Sequence, residues 1–170
     1  MADLAPHSPG TVQQARIKQP SSLHCFVCGV ENPVGLHQTF YDQPDGTVIS
    51  EITVPDRYQG YPGVVHGGII ASMLDEVAGR SAMQGDTTRL MMTAKLEIRY
   101  RKPIPTGQLL RLVGRLGRRR GRLTIVTGEI RLPDGSLGAE AEALLSDTPD
   151  AFRGAAGFER TGWRVYPDEG

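Results

Sequence analysis

The chain has 170 residues, 39% of them hydrophobic and 22% charged, which is one domain's length with enough apolar content for a single core. No run of 18 apolar residues occurs, so nothing reads as a membrane-spanning helix, and the opening MADLAPHSPG lacks the basic and apolar regions of a secretory signal. Nineteen basic residues balance nineteen acidic ones, which argues against a general nucleic-acid binder; two cysteines are too few for a secreted disulfide framework, and a cytoplasmic location is expected.

In chain order, residues 1–22 are polar and without period, and are expected to form a disordered or loosely docked leader before a domain over 23–146. Cys25 and Cys28 follow. With His24 and His37 they offer a set of potential ligands, but a single C-x-x-C lacks the second half of a four-ligand site, so packing is expected and no metal. Leu36–Tyr41 and Thr47–Val54 flank the turn Gln43-Pro44-Asp45-Gly46 and read as a hairpin. A Gly/Pro/Tyr loop over 58–63 leads into a helical period from His66 to about Met83.

The chain then alternates again. Ala94, Leu96, Ile98 and Tyr100 share one parity and Lys95, Glu97, Arg99 and Arg101 the other, a half-buried strand in which Thr93 falls with the polar set. Leu109–Leu116, Arg122–Leu132 and Leu137–Leu145 supply three more strands, and residues 147–170 are a tail that wraps back or stays loose. The expectation is an α+β domain: one helix over one antiparallel sheet of about six strands, the last four in meander, with open edges that favour pairing with a second copy.

Residues 95–131 carry eleven Lys/Arg against Glu97 and Glu129. Many of them lie at the tip Gly117–Gly121 and just beyond: Arg118, Arg119, Arg120 and Arg122. A solvated strand face with a charged tip and a grip for a phosphorylated small molecule are both open readings.

The helix starts on His66-Gly67-Gly68, and two glycines there cost roughly 1 kcal/mol each against alanine. Bare backbone at this end either exposes unpaired N–H groups at the positive end of the helix dipole to a ligand or allows close packing. Ile69, Ile70, Met73, Leu74 and Val77 form the apolar face. Gly68, Ser72, Asp75 and Gly79 form a separate stripe of small residues around one carboxylate, the shape of a groove for something thin beside an acid. Glu76 precedes Arg80 by four residues, an ordinary salt-pair spacing.

The run Tyr58-Gln-Gly-Tyr-Pro-Gly-Val-Val-His-Gly-Gly-Ile-Ile-Ala-Ser-Met-Leu-Asp-Glu-Val resembles the signature of hot-dog-fold acyl-CoA thioesterases, phenylacetyl-CoA (PaaI-type) branch. His66 and Asp75 have the family's spacing. Thr93–Pro105 resembles its next strand, and Cys25–Leu36 the N-terminal segment of one subgroup. The resemblance covers residues 24–146 and implies a sheet wrapped around the helix, a homodimer with sites at the interface, and in some cases a dimer of dimers. It implies Asp75 as base or nucleophile, the Gly67 N–H as the group polarising the thioester carbonyl, His66 shaping that turn, and Thr93 holding the attacking water. Some members place an Asn six residues before the His; here Gly60 stands there, with Gln59 beside it as a substitute amide.

Gly68, Ser72 and Gly60 would line the substrate, and Arg118, Arg119, Arg120 and Arg122 would grip the coenzyme A phosphates. No cofactor is implied, since coenzyme A is part of the substrate, and neither nucleic acid nor membrane is an expected partner. Two other functions stay open: an acyl-CoA hydratase or dehydratase using His66 and Asp75 for proton transfer, and a non-catalytic acyl-CoA-binding module.

Overall fold

The computed structural model describes residues 16–149 and 159–168. Among the described residues nine strands and one α-helix carry the architecture: β1 (Ile17–Lys18), β2 (Tyr41–Asp42), β3 (Thr47–Thr53), β4 (Gln59–Tyr61), β5 (Val64–Val65), α1 (Gly67–Ser81), β6 (Met91–Tyr100), β7 (Leu109–Arg120), β8 (Leu123–Arg131) and β9 (Leu137–Asp147). Seven strands form one antiparallel sheet in the order β1-β2-β3-β7-β8-β9-β6, and β4 and β5 make a small separate ribbon. This is the expected hot-dog arrangement, one helix lying along a wrapped sheet. No helix among the described residues is long and apolar enough to cross a membrane.

The pattern of side chains explains the wrap. On β7, β8 and β9 the inward positions are Leu110, Leu112, Val126, Ile130, Ala139, Ala141, Ala143 and Leu145, all buried, with Gly114 and Gly128 between them. Met73, Leu74, Val77 and Ala78 of α1 pack into that face and are fully buried. Small residues are needed because the helix sits directly on the strand backbone. A Cβ on Gly114 would stand 2.1 Å from the Val77 carbonyl oxygen, so no larger residue fits without moving α1. Outward positions carry ion pairs instead, Arg115 to Glu129 (3.2 Å) and Arg131 to Glu129 (2.6 Å) among them, so part of the basic surplus is a solvated sheet face.

Three local expectations change. The last four strands are not one meander: β7, β8 and β9 are, but β6 pairs with β9 at the far edge while β7 pairs with β3. The helix crosses the sheet and delivers the chain to the opposite edge, so β6 and β7 cannot be neighbours. In the first hairpin only Tyr41 of the 36–41 run pairs with β3, with Asp42 just beyond it, because Leu36 and Gln38 hydrogen-bond back to Phe26 and Val27 in the cysteine loop. Residues 19–22, expected within the leader, pack closely: Gln19, Ser21 and Ser22 are buried, and Ser21 bridges Arg164 of the returning C-terminal segment, while Ile17 before them is exposed. Residues 1–15 and 150–158 of the expected leader and tail lie outside the described residues.

Candidate active site

The chain turns into α1 through His66, whose extended backbone makes it the N-cap. Its Nδ1 accepts the Gly68 N–H at 3.0 Å, which requires Nδ1 to be unprotonated and puts the ring proton on Nε2. The glycine at 68 permits this cap, since a Cβ there would meet Nδ1 at 3.1 Å. Gly60 leaves room on the other side of the ring; a Cβ at that position would lie 3.3 Å from His66 Cδ2. Tyr100 donates its hydroxyl to the Gly67 carbonyl (3.0 Å), fixing β6 to the first helical turn. The Gly67 N–H has no acceptor among the described residues, as the first position of a helix predicts.

Further along the helix, Ser72 donates its hydroxyl to the Gly68 carbonyl (2.9 Å). Two turns beyond Gly68, Asp75 accepts a hydrogen bond at Oδ1 from the Thr93 hydroxyl at 2.7 Å. Burial raises the Asp75 carboxyl above its ordinary value; the Thr93 hydrogen bond pulls it down, and the neighbouring Glu76 charge adds to the rise.

Thr93 reaches Asp75 by a device the alternation conceals. Thr93 pairs with Leu145 and Lys95 with Leu144, leaving Ala94 as an extra residue without an opposite number. This bulge reverses the parity, so Thr93 shares the helix-facing side with Leu96 rather than the outer side with Lys95 and Arg99. The expected orientation of Thr93 is thereby corrected, and its hydroxyl lies against the Asp75 carboxylate.

Asp75 and Thr93 open into a cleft of about 290 Å³ between α1, β6, the cysteine loop and the C-terminal segment. Gly79, Met83, Met91, Leu145, Cys25 and Trp163 line it. Met83 and Met91 thus reach it, whereas Met73 is core and Met92 and Tyr61 are surface. Of the small-residue stripe only Asp75 and Gly79 line this cleft, while Gly68 and Ser72 do not; a Cβ on Gly79 would touch nothing within 4 Å.

Arg80 is 2% exposed and closes the cleft's far end. It donates to Glu76 Oε1 (2.9 Å) and to the Pro20 carbonyl (2.5 Å), and lies over the rings of Phe40 (4.6 Å) and Trp163 (4.9 Å). The salt pair was legible from the spacing; its burial was not, and neither was Trp163, which arrives from far along the chain.

Other expected site residues lie elsewhere. Gln59 turns its Oε1 to the Gly63 N–H (3.1 Å) and closes its own tight turn, since a side-chain acceptor is the nearest partner for that loop amide. Arg118, Arg119, Arg120 and Arg122 are exposed at the β7–β8 tip. Arg119 pairs with Thr124, Thr124 with Leu145, and Leu145 with Thr93. The tip thus stands at the Thr93 end of the sheet, about 14 Å away across three strand spacings, outside the cleft. Neither His24 nor His37 joins the cysteines. Glu76 does instead: one donor atom each of Cys25, Cys28 and Glu76 lie within 4.8 Å of one another. A hydrogen bond from the Cys28 thiol lowers the Cys25 thiol, and that bond together with burial raises Cys28.

A profile of the thioesterase superfamily matches residues 62–139, from the turn before the helix to the start of β9. Rat acyl-coenzyme A thioesterase THEM4 is 32% identical over 130 residues, 75% of this chain and 55% of THEM4, so the chain spans about half the length of that relative. The esterase-named protein SSO2140 of Saccharolobus solfataricus is 30% identical over 96 residues, 56% of this chain and 68% of its own length. Among solved structures, the thioesterase superfamily protein RHA08564 superposes with TM-score 0.67 and 37% identity, covering 71% of this chain and 62% of that one. The protein smu.793 of Streptococcus mutans UA159, solved bound to acetyl CoA, has TM-score 0.56 and 25% identity over 61% of this chain and 82% of its own. The profile match, the SSO2140 relative and the superposed fold agree, and the chain belongs to the thioesterase superfamily.

Proposed function

We propose that this protein hydrolyses an acyl-CoA thioester to the free acid and coenzyme A. The observation that carries the reading is a half-buried carboxylate, Asp75, held at one oxygen by Thr93 and facing a largely apolar cleft beside a stripe of small residues. Asp75 Oδ2 takes a proton from a water while the water oxygen attacks the thioester carbon, or attacks that carbon itself in a two-step route. The carbonyl oxygen gathers the displaced electron pair, the C–S bond breaks, and coenzyme A leaves as the thiol after taking up a proton. The Gly67 N–H, backed by the helix dipole, suits the carbonyl oxygen. No cofactor enters these steps. The names of the THEM4 relatives and the acetyl CoA in smu.793 support this substrate class.

One distance makes the site a property of two copies. Gly67 and Asp75 are eight residues apart on one helix, about 12 Å at 1.5 Å per residue, too far for both to touch one thioester. A homodimer that places Gly67 of one protomer opposite Asp75 of the other removes the conflict. The open ten-residue edge of β6, with Met92 and Tyr100 exposed on it, supports such pairing.

Thiol release from aryl, short-chain and long-chain acyl-CoAs tests the reaction, with Asp75→Asn beside the wild type. Turnover that falls roughly 10²- to 10⁴-fold in a folded Asp75→Asn protein is expected. Saturable acyl-CoA binding without turnover across the panel would instead favour a hydratase or a binding module. The dimer reading has its own test in Gly67→Pro. Proline is accommodated at the first helical position, and His66 already has the extended backbone that precedes proline, so the change removes the N–H and leaves the helix. Refolding Gly67→Pro together with Asp75→Asn restores activity if the two groups act across protomers, and restores none if they act within one.

A further inference from the structure

Cys25 and Cys28 take no part in the proposed hydrolysis, yet the loop that carries them is built closely around their sulfurs. The Val27 and Cys28 N–H groups both point at Cys25 Sγ, at 3.3 and 3.5 Å. Ser22 Oγ accepts the Cys25 N–H (3.2 Å) and lies 3.8 Å from Cys28 Sγ. The Gly29 N–H closes the turn onto the Cys25 carbonyl (2.9 Å), and a Cβ at 29 would stand 2.3 Å from that oxygen, so only glycine allows the closure. Backbone amides aimed at a sulfur stabilise it as a thiolate, the form in which cysteine binds metals.

Across the gap stands Glu76, the residue next to Asp75 on α1. Arg80 engages only its Oε1, at 2.8 Å, so Oε2 is available to a second partner. Two sulfurs and one carboxylate oxygen within 4.8 Å of one another make three donors around a common centre. Zinc–sulfur and zinc–oxygen bonds of about 2.3 and 2.1 Å hold tetrahedral donors about 3.5 to 3.8 Å apart, so closure asks a shift of about an ångström at most. Charge also balances: two thiolates and a carboxylate are neutralised by one divalent cation and the buried Arg80 guanidinium. The thiolate pair selects a borderline-soft ion over calcium or magnesium.

We propose that Cys25, Cys28 and Glu76 bind one zinc-class divalent cation, with water as fourth ligand. The ion ties the loop over residues 22–29 to α1 and so braces one wall of the Asp75 cleft. This goes beyond the hydrolase reading and does not depend on it.

The test uses full-length protein stripped with chelator under a thiol-free reductant, then titrated with Co²⁺. The expected result is a sulfur-to-cobalt charge-transfer band with tetrahedral visible bands saturating at one equivalent, abolished by one equivalent of Zn²⁺. Zn²⁺ should also raise the thermal midpoint of the wild type. Cys28→Ser and Cys25→Ser should lose the band and the midpoint shift, and Glu76→Gln should weaken Co²⁺ binding at least about tenfold. Cys25 is only half-buried, so Cys25→Ser carries the test if Cys28→Ser fails to fold. No thiolate band in the wild type, or an undiminished band in Cys25→Ser, overturns the proposal.

Discussion

At its N-terminal end α1 presents glycine backbone to its surroundings, whereas its C-terminal end is closed around a guanidinium. The Gly67 N–H has no acceptor among the described residues, and the His66 cap is satisfied from within two residues. Arg80, in contrast, is held by Glu76 of its own helix and by Pro20, Phe40 and Trp163 from three segments far apart in sequence. One helix therefore divides the work. An end with spare donors suits a transient charge, because no reorganisation is needed when that charge forms. An end with every charge matched serves stability, because a buried cation is tolerable only with partners around it. Asp75 stands between the two, buried enough for its carboxyl to be raised and held at one oxygen only.

Four changes probe this division, the largest effect first. Arg80→Met leaves Glu76 without its cation and should cost about 3–5 kcal/mol in denaturant unfolding of the metal-stripped protein. Adding Glu76→Gln to it should recover much of that loss; equal destabilisation in single and double variants would mean that ring packing, not charge, makes Arg80 important. Gly67→Pro should leave the unfolding transition nearly in place and lower kcat by about 10²- to 10³-fold, the cost of one donor to a developing oxyanion. A lost fold with intact residual kcat would erase the distinction between the ends.

Thr93→Val removes a hydrogen bond to a charged group, worth about 1.5–3 kcal/mol, so kcat should fall roughly tenfold to a hundredfold at similar KM. Thr93→Ser should retain most of the activity, which separates the hydroxyl from the side chain's bulk. The smallest effect is expected at the exposed β7–β8 tip. Charge removal at Arg119 and Arg120 should raise KM for acyl-CoA roughly two- to fivefold with kcat unchanged, and the difference should shrink as salt is added. An unaltered KM would detach the tip from coenzyme A binding.

How much of the site could be read in advance differs by residue. His66, Gly67 and Asp75 stood out because helix N-termini and helical spacing are local properties, set by a dozen contiguous residues. Thr93 was found by resemblance but aimed the wrong way by alternation, since a one-residue bulge at Ala94 is set by pairing with β9 rather than by the strand's own residues. The far wall of the cleft was out of reach altogether. Trp163 arrives from a segment whose docking depends on the Ser21–Arg164 bridge and on stacking over Arg80. Glu76 likewise read as half of an ordinary salt pair, and only the placement of the cysteine loop set it beside two sulfurs.

What the sequence determined by itself was the helical period of α1, the existence of the long strands, the capped glycine start and the family to which those features belong. These follow from interactions among residues a few positions apart, where spacing translates directly into geometry. The crossing of β6 to the far edge, the reversal at Ala94, the burial of Arg80 and the meeting of Cys25, Cys28 and Glu76 were decided by tertiary structure alone. Each depends on which segments share a surface after the sheet has wrapped the helix, and that choice is made by the packing of the whole core.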